Sequence, residues 1–356
     1  DSTTSLVLTG GADRALAHLG AMDRLFPDGL ERIGVVWGSS AGAVIGLGVA
    51  KGLSLDAIYS ICTCEVRVRE IFHQRFGATS SSPFAGLFDN PHVLFSYVRG
   101  VVGDMGVTPT TTFRELSGDL RVSVTRLHDR RPVVFGSHVT PDVPVLSAIL
   151  ASCSVPVLFP PVYAPRNPLS WGVAEVTSTG VTIAGPDPVP HCDGSFSLHA
   201  PGQGSRGSLT MLIDSRSVSM PVNEWGTLAS LVAGAFTTQN RSWPCPRTFS
   251  HPFPSWSSLA LEALRAWLVR DENAFVSLCS RLFRSDWQAG NLSALSHCIA
   301  VGGGECFHRE AYDQISLAQH QQPLGDWSIA IGEPVWKLVN AEIRHSELWT
   351  CPSAAQ

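Results

Sequence analysis

The chain has 356 residues, 44% of them hydrophobic and 15% charged, which is enough apolar side chain for a substantial core and excludes a disordered polyelectrolyte. A net charge of −5 gives no electrostatic footprint for a polyanion, so no nucleic-acid partner is expected. The 32 glycines and 24 prolines predict short elements joined by many turns.

Residues 5 to 9, Ser-Leu-Val-Leu-Thr, form a short apolar run that ends in Gly10-Gly11, the pattern of a buried strand entering a tight turn. Leu16, Leu19, Met22, Leu25 and Phe26 then recur at helical spacing until Pro27-Asp28-Gly29 stops them. Ile33 to Trp37 reads as a second strand, leading through Gly38-Ser39-Ser40-Ala41-Gly42 into a small-residue helix that ends near Lys51-Gly52. Two consecutive strand-turn-helix units predict a parallel α/β sheet.

From about 63 to 112 the periodicity loosens. Ser80-Ser81-Ser82-Pro83 with Phe84, Phe88 and Phe95 reads as a helical or loop excursion, either a lid or a surface insertion with its aromatics packed inward. Leu120 to Leu127 and Pro132 to Phe135 flank His128-Asp129-Arg130-Arg131 as a hairpin. Ala148 to Cys153 reads as a helix end before the rigid segment Val155 to Pro161. A Gly/Ser/Thr/Pro-rich stretch from 164 to 190, with no element assigned, precedes His191-Cys192-Asp193-Gly194, and Leu209 to Ile213 returns as a strand. Beyond about 216 the pattern turns helical, with Leu261, Leu264, Trp267 and Leu268 in register and weaker patterns at 274–283 and 308–317.

The nine cysteines have neither disulfide-scaffold nor paired CxxC metal spacing, so buried free thiols in a reducing compartment are expected. No carboxylate loop has calcium spacing, and neither a metal nor another cofactor is expected. No apolar run approaches the roughly 20 residues that span a bilayer, and the first residues lack a signal-peptide pattern. The expected location is cytoplasmic or peripheral to a membrane, with a secreted effector also compatible. Arg67, Arg69 and Arg75 read either as a solvated helix face or as a contact for anionic lipid.

Gly38-Ser39-Ser40-Ala41-Gly42 fits the G-x-S-x-G nucleophile elbow in the required context, an apolar strand before it and a helix after it. Such a turn lifts the Ser40 hydroxyl out of the strand to a helix N-terminus, where developing negative charge is stabilised. Gly10-Gly11-Ala12-Asp13-Arg14 lacks dinucleotide-binding spacing, but its small residues at a helix start can present N–H groups to an oxyanion. His191 offers a histidine base, with no obvious acid to orient it.

Four blocks in order resemble the patatin-like phospholipase family: Thr9 to Ala15 with His18 and Gly20, Gly38 to Ala43, Ala151 to Pro161, and Asp193-Gly194-Ser195 followed by Pro201. The resemblance implies a three-layer α/β fold with a mostly parallel central sheet, a catalytic domain over 1–215, and a mainly helical region over 216–356 packed on or beside it. It also implies a Ser40–Asp193 dyad without a histidine, an oxyanion hole from Gly10, Gly11 and Ala12, and motif support from Arg14, Gly38, Gly42 and Gly194. The implied substrate is a phospholipid or lysophospholipid met at a membrane surface, with a protein activator compatible but unnamed. Trp243, Phe249, Phe253 and Trp256 are candidates either for dipping into that surface or for core packing. Departures from the family pattern are Thr9 for Asp, Ala12 and Ala15 for glycines, Ser195 after Asp193-Gly194, and His199 for Asn. The altered glycines motivate one rival, a silent lipid- or protein-binding module, and a conventional Ser-His-Asp esterase is the second.

Overall fold

In the computed structural model the described residues are 4–26, 29–31, 33–73, 92–129, 131–155, 159–177, 180–197, 208–214, 248–252 and 258–300. Strands β1 (Thr4–Leu8) and β2 (Ile33–Ser39) pair in parallel, as the two apolar runs predict. Strand β3 (Asp119–Arg126) continues the parallel set from β2, and β4 (Arg131–Gly136) folds back on β3 as the expected hairpin. The remaining strands are β5 (Val162–Pro165), β6 (Ala174–Thr177), β7 (Gly180–Ile183), β8 (Pro188–Asp193), β9 (Ser208–Asp214) and β10 (Thr248–Pro252).

All belong to one mixed sheet in the order β10-β9-β1-β2-β3-β8-β5-β7-β6, with β4 also on β3. From β10 to β3 every pair is parallel, and this half carries the turn at Ser40. Beyond β3 the directions mix, because β8 runs antiparallel to both β3 and β5. The stretch 164–190 thus holds strands that its composition conceals. Gly180 and Gly185, both at φ 143°, punctuate a β-branched run in which Val176, Thr177, Val181, Thr182 and Ile183 alternate across a hairpin.

Helices cover both sides of the sheet: α1 (Leu16–Leu25), α2 (Ala41–Ala50), α3 (Leu55–Cys62), α4 (Glu65–Phe72), α5 (His92–Asp104), α6 (Val145–Ser152), α7 (Ser258–Leu268) and α8 (Glu272–Ala300). This is the three-layer α/β arrangement. Helix α2 has no solvent stripe, since Gly42 to Ala50 are all buried, as an all-apolar helix requires. Leu6, Leu8, Leu47 and Val122 are fully inside beside it, each large side chain contributing roughly 1.5–3 kcal/mol of hydrophobic stabilisation.

Helix α8 crosses α1 at backbone contact. A Cβ on Gly20 would lie 1.9 Å from the Trp287 carbonyl oxygen, and one on Gly290 would lie 1.9 Å from that of Ala17. Trp287 adds an edge contact to Tyr59 at 5.2 Å. Because α1 follows directly from the Gly10-Gly11 turn, α8 buttresses the helix that carries that turn. In the loosened region, Phe95 on α5 packs inward, whereas Ser80, Phe84 and Phe88 lie outside the described residues.

Arg67 pairs with Asp104 and donates to the Ile61 carbonyl, and Arg69 bridges Glu65 and Glu272. These arginines are thereby engaged within the fold, and Arg75 lies outside the described residues. Cys62, Cys153, Cys192 and Cys279 are buried free thiols, and Cys64 is half-buried. Among the described residues no helix is long and apolar enough to cross a membrane, and no cluster of ligands suits a metal ion. Trp243, Phe253, Trp256 and the 308–317 pattern lie outside the described residues.

Candidate active site

The site begins where β2 ends. Ser40 turns sharply at φ 52°, ψ −132°, and α2 starts at the next residue. Such a backbone costs about 1–3 kcal/mol in a non-glycine residue and persists only where its surroundings fix it. Here they do: the Ser40 carbonyl accepts the Ala43 N–H at 2.9 Å, and its own N–H donates to Ser152 Oγ at 2.8 Å. A Cβ on Gly38 would lie 2.4 Å from Ala43 Cα, and one on Gly42 would lie 2.4 Å from the Leu8 carbonyl oxygen. The two glycines therefore let β1, β2 and α2 close to backbone contact around the serine.

Strand β3 brings residues 40 and 193 together. Ser39 on β2 is in register with Ser123, and Val124, the next residue of β3, is in register with Asp193 on β8. Strand β2 runs parallel to β3 and β8 antiparallel to it, so Ser40 leaves its strand and Asp193 ends its own at the same level of β3. The Asp193 N–H donates to the Ser154 carbonyl at 2.9 Å, and its carbonyl accepts from Thr125 Oγ1 at 2.7 Å. At Gly194 a Cβ would fall 2.1 Å from the Ser123 carbonyl oxygen, so only glycine lets the chain turn against β3.

The Asp193 side chain is 1% exposed. Its Oδ1 accepts the Ser195 N–H at 2.8 Å, and the nearby hydroxyls of Ser40 and Ser195 also favour the charged form of the carboxylate. Burial disfavours the charge more than these donors favour it, and the carboxyl is pushed up from 3.8 to about 6. At neutral pH it remains ionised yet is a stronger base than a solvated aspartate. Burial, with the nearby Asp193 charge, also holds the Cys153 thiol well above its ordinary value.

The Gly10-Gly11 turn lies against both groups. A Cβ on Gly10 would lie 2.6 Å from Ser195 Oγ and 2.8 Å from Ser40 Cβ. The Gly10 N–H donates to Ser39 Oγ at 3.2 Å and is thereby engaged. At Gly11 and Ala12 the N–H groups meet no acceptor among the described residues. A short 3-10 turn, Ala12–Ala15, follows, in which the Arg14 N–H closes on the Gly11 carbonyl at 3.1 Å. Ala12 is exposed and holds φ 52°, the left-handed conformation that glycine adopts without strain. Below the turn, His18 Nε2 donates to the Thr9 carbonyl at 3.0 Å.

His191 stands apart from this chemistry. Its Nδ1 donates to the Val189 carbonyl at 2.9 Å, its ring meets Trp171 edge-on at 4.9 Å, and Nε2 has no partner among the described residues. Burial is the main cause that lowers it to about 4, so it is neutral at physiological pH. His199 lies outside the described residues. The residues that sequence reasoning left without a role are Ser152, which holds the Ser40 N–H, and the buried pair Ser39 and Ser195, whose hydroxyl oxygens are 3.1 Å apart. Their only signal was the run of hydroxyl residues at the ends of apolar elements.

The model of the patatin-like phospholipase family matches residues 6–200, more than half of the chain. The chain belongs to that family. Triacylglycerol lipase 4 of Saccharomyces cerevisiae is 30% identical over 174 residues, a match that covers 44% of this patatin-like chain and 18% of the lipase. The match thus spans less than a fifth of that relative's length. Among solved structures, VipD from Legionella pneumophila aligns with a TM-score of 0.38 at 13% identity, covering 97% of this chain and 86% of that one. A chain of the complex of SpcU with ExoU, from the type III secretion system of Pseudomonas aeruginosa, aligns with a TM-score of 0.32 at 15% identity, covering 99% and 72%.

Proposed function

We propose that this protein is a lipid acyl hydrolase that cleaves carboxylic esters through a Ser40 acyl-enzyme, with Asp193 as the only side-chain base. The observation that carries the reading is the meeting of Ser40, held at positive φ, with the buried Asp193 carboxylate across β3, a carboxyl raised to about 6. Asp193 takes the Ser40 proton as Oγ attacks the ester carbonyl, and returns it to the departing alkoxide. Water, deprotonated by the same carboxylate, then attacks the acyl carbon, and the fatty acid leaves as the proton passes from Asp193 back to Ser40 Oγ. The N–H groups of Gly11 and Ala12 hold the oxyanion, and the N-terminus of α2 adds favourable potential beneath it.

Family membership and the resemblance to a triacylglycerol lipase support an ester of a fatty acid as the substrate, and we assign phospholipids or lysophospholipids met at a membrane surface. The buried thiols of Cys153 and Cys192 and a desolvated base suit a site that excludes bulk water during transfer. The strained Ala12 favours the silent lipid-binding module as the second reading, since a turn that relaxes out of φ 52° carries its N–H away. Release of fatty acid from phospholipid vesicles by the full chain and by Ser40→Ala separates them. The hydrolase reading requires release above background that the substitution abolishes; equal background release by both supports the silent module.

A further inference from the structure

The mechanism leaves two buried hydroxyls without a chemical step, those of Ser39 and Ser195. Their oxygens are 3.1 Å apart although their positions are 156 residues apart in sequence. Ser195 holds the Asp193 carboxylate through its N–H at 2.8 Å, and Ser39 Oγ receives the Gly10 N–H at 3.2 Å. One oxygen-to-oxygen contact therefore joins the end of β2, and through it the segment that follows β1, to the segment that follows β8. There is no slack around it, because a Cβ on Gly10 would already fall 2.6 Å from Ser195 Oγ.

We propose that Ser195 is a positioning residue which, with its N–H on Asp193 and its hydroxyl on Ser39, locks the base to the Gly10 turn. This rests on the Ser40–Asp193 reading given above. An ionised carboxylate only accepts hydrogen bonds, so both donors of residue 195 favour its charged form, and they weaken when Asp193 takes up the serine proton. The hydroxyl moderates the base while fixing its aim. Through Ser39 the same contact holds Gly10, so the oxyanion turn and the carboxylate keep one relative geometry during the reaction. Removing the Ser195 hydroxyl leaves the N–H bond and the burial of Asp193 intact but favours its protonated form. It also releases the turn. Neither change touches the part of the substrate that binds remotely, so kcat rather than KM carries the effect.

The test is the pH dependence of kcat and KM for hydrolysis of a p-nitrophenyl acyl ester by the full chain, compared with Ser195→Ala, Ser195→Thr and Ser39→Ala. Ser195→Ala is expected to move the acidic limb of kcat/KM upward by about half a pH unit to one unit, because one donor to the charged carboxylate is gone. Its kcat at about pH 8 falls roughly tenfold while KM stays within about twofold. Ser195→Thr, which restores a hydroxyl, returns the limb to its original position. Ser39→Ala keeps both donors on Asp193 and lowers kcat without displacing the limb. An acidic limb of Ser195→Ala that coincides with that of the unmodified chain overturns the proposal, whatever kcat does. Should Ser195→Ala fail to fold, an unchanged kcat in Ser39→Ala overturns it instead. Both results leave the Ser40–Asp193 reading standing. An unmodified chain no faster than Ser40→Ala overturns that reading, and this proposal with it.

Discussion

Asp193→Asn is predicted to stabilise the protein while disabling it. Folding raises this carboxyl from 3.8 to about 6, and at about 1.4 kcal/mol per pH unit that change costs about 3 kcal/mol wherever the group is ionised in both states. A carboxyl raised by folding favours the folded state below about pH 4, and that advantage is lost as pH rises through about 6. Asparagine has nearly the same shape and no charge. Its Oδ1 still accepts the Ser195 N–H, and its amide group donates to Ser40 Oγ. Urea unfolding at a series of pH values should therefore find Asp193→Asn more stable by about 2–3 kcal/mol near pH 8, with the gap closing by about pH 4. Ester hydrolysis should fall by a factor of about 100 to 10,000 through loss of the general base. A variant less stable than the unmodified chain at pH 8, or a gap independent of pH, would refute the assignment of Asp193 as a buried, charge-strained base.

Three other outcomes are expected. Ala12→Gly removes the left-handed strain at φ 52° and should raise stability by about 0.5–1 kcal/mol and kcat several-fold, read by urea unfolding and vesicle hydrolysis. Ser152→Ala leaves the buried Ser40 N–H without its acceptor at 2.8 Å, so a loss of about 1–3 kcal/mol in urea unfolding should accompany a lower kcat at unchanged KM. His191→Gln should retain at least about a third of the unmodified chain's turnover once folded, since a histidine bonded to Val189 and edge-on to Trp171 takes no part in proton transfer; complete loss in a folded variant would favour the Ser-His-Asp esterase.

Local pattern made the strand-turn-helix around Ser40 legible. An apolar strand, a small-residue turn and an apolar helix are encoded within one continuous segment, and Ile33–Ser39 and Ala41–Ala50 follow it closely. The hairpin of β3 and β4 was legible for the same reason, two β-prone runs around a polar turn. Asp193 came from family resemblance, because its approach to Ser40 depends on β3 lying between β2 and β8, a non-local register that spacing does not encode. The strands between 164 and 190 were hidden by their own turns, with glycine and proline dominating a composition whose β-branched residues form the sheet. The positive φ of Ala12 was foreseeable only as a condition on the oxyanion turn. Ser152 acts through a backbone hydrogen bond across 112 residues, a contact with no signature in sequence.

On the proposed reading, Ser40 is a nucleophile activated by Asp193 alone. Treating the full chain with a fluorophosphonate and locating the adduct by peptide mass spectrometry tests it most directly. One phosphonyl group is expected on the peptide bearing Ser40, absent from Ser40→Ala, formed far more slowly in Asp193→Asn and undiminished in His191→Gln. An adduct on another serine, or labelling of Ser40 that survives Asp193→Asn and is lost in His191→Gln, would contradict it.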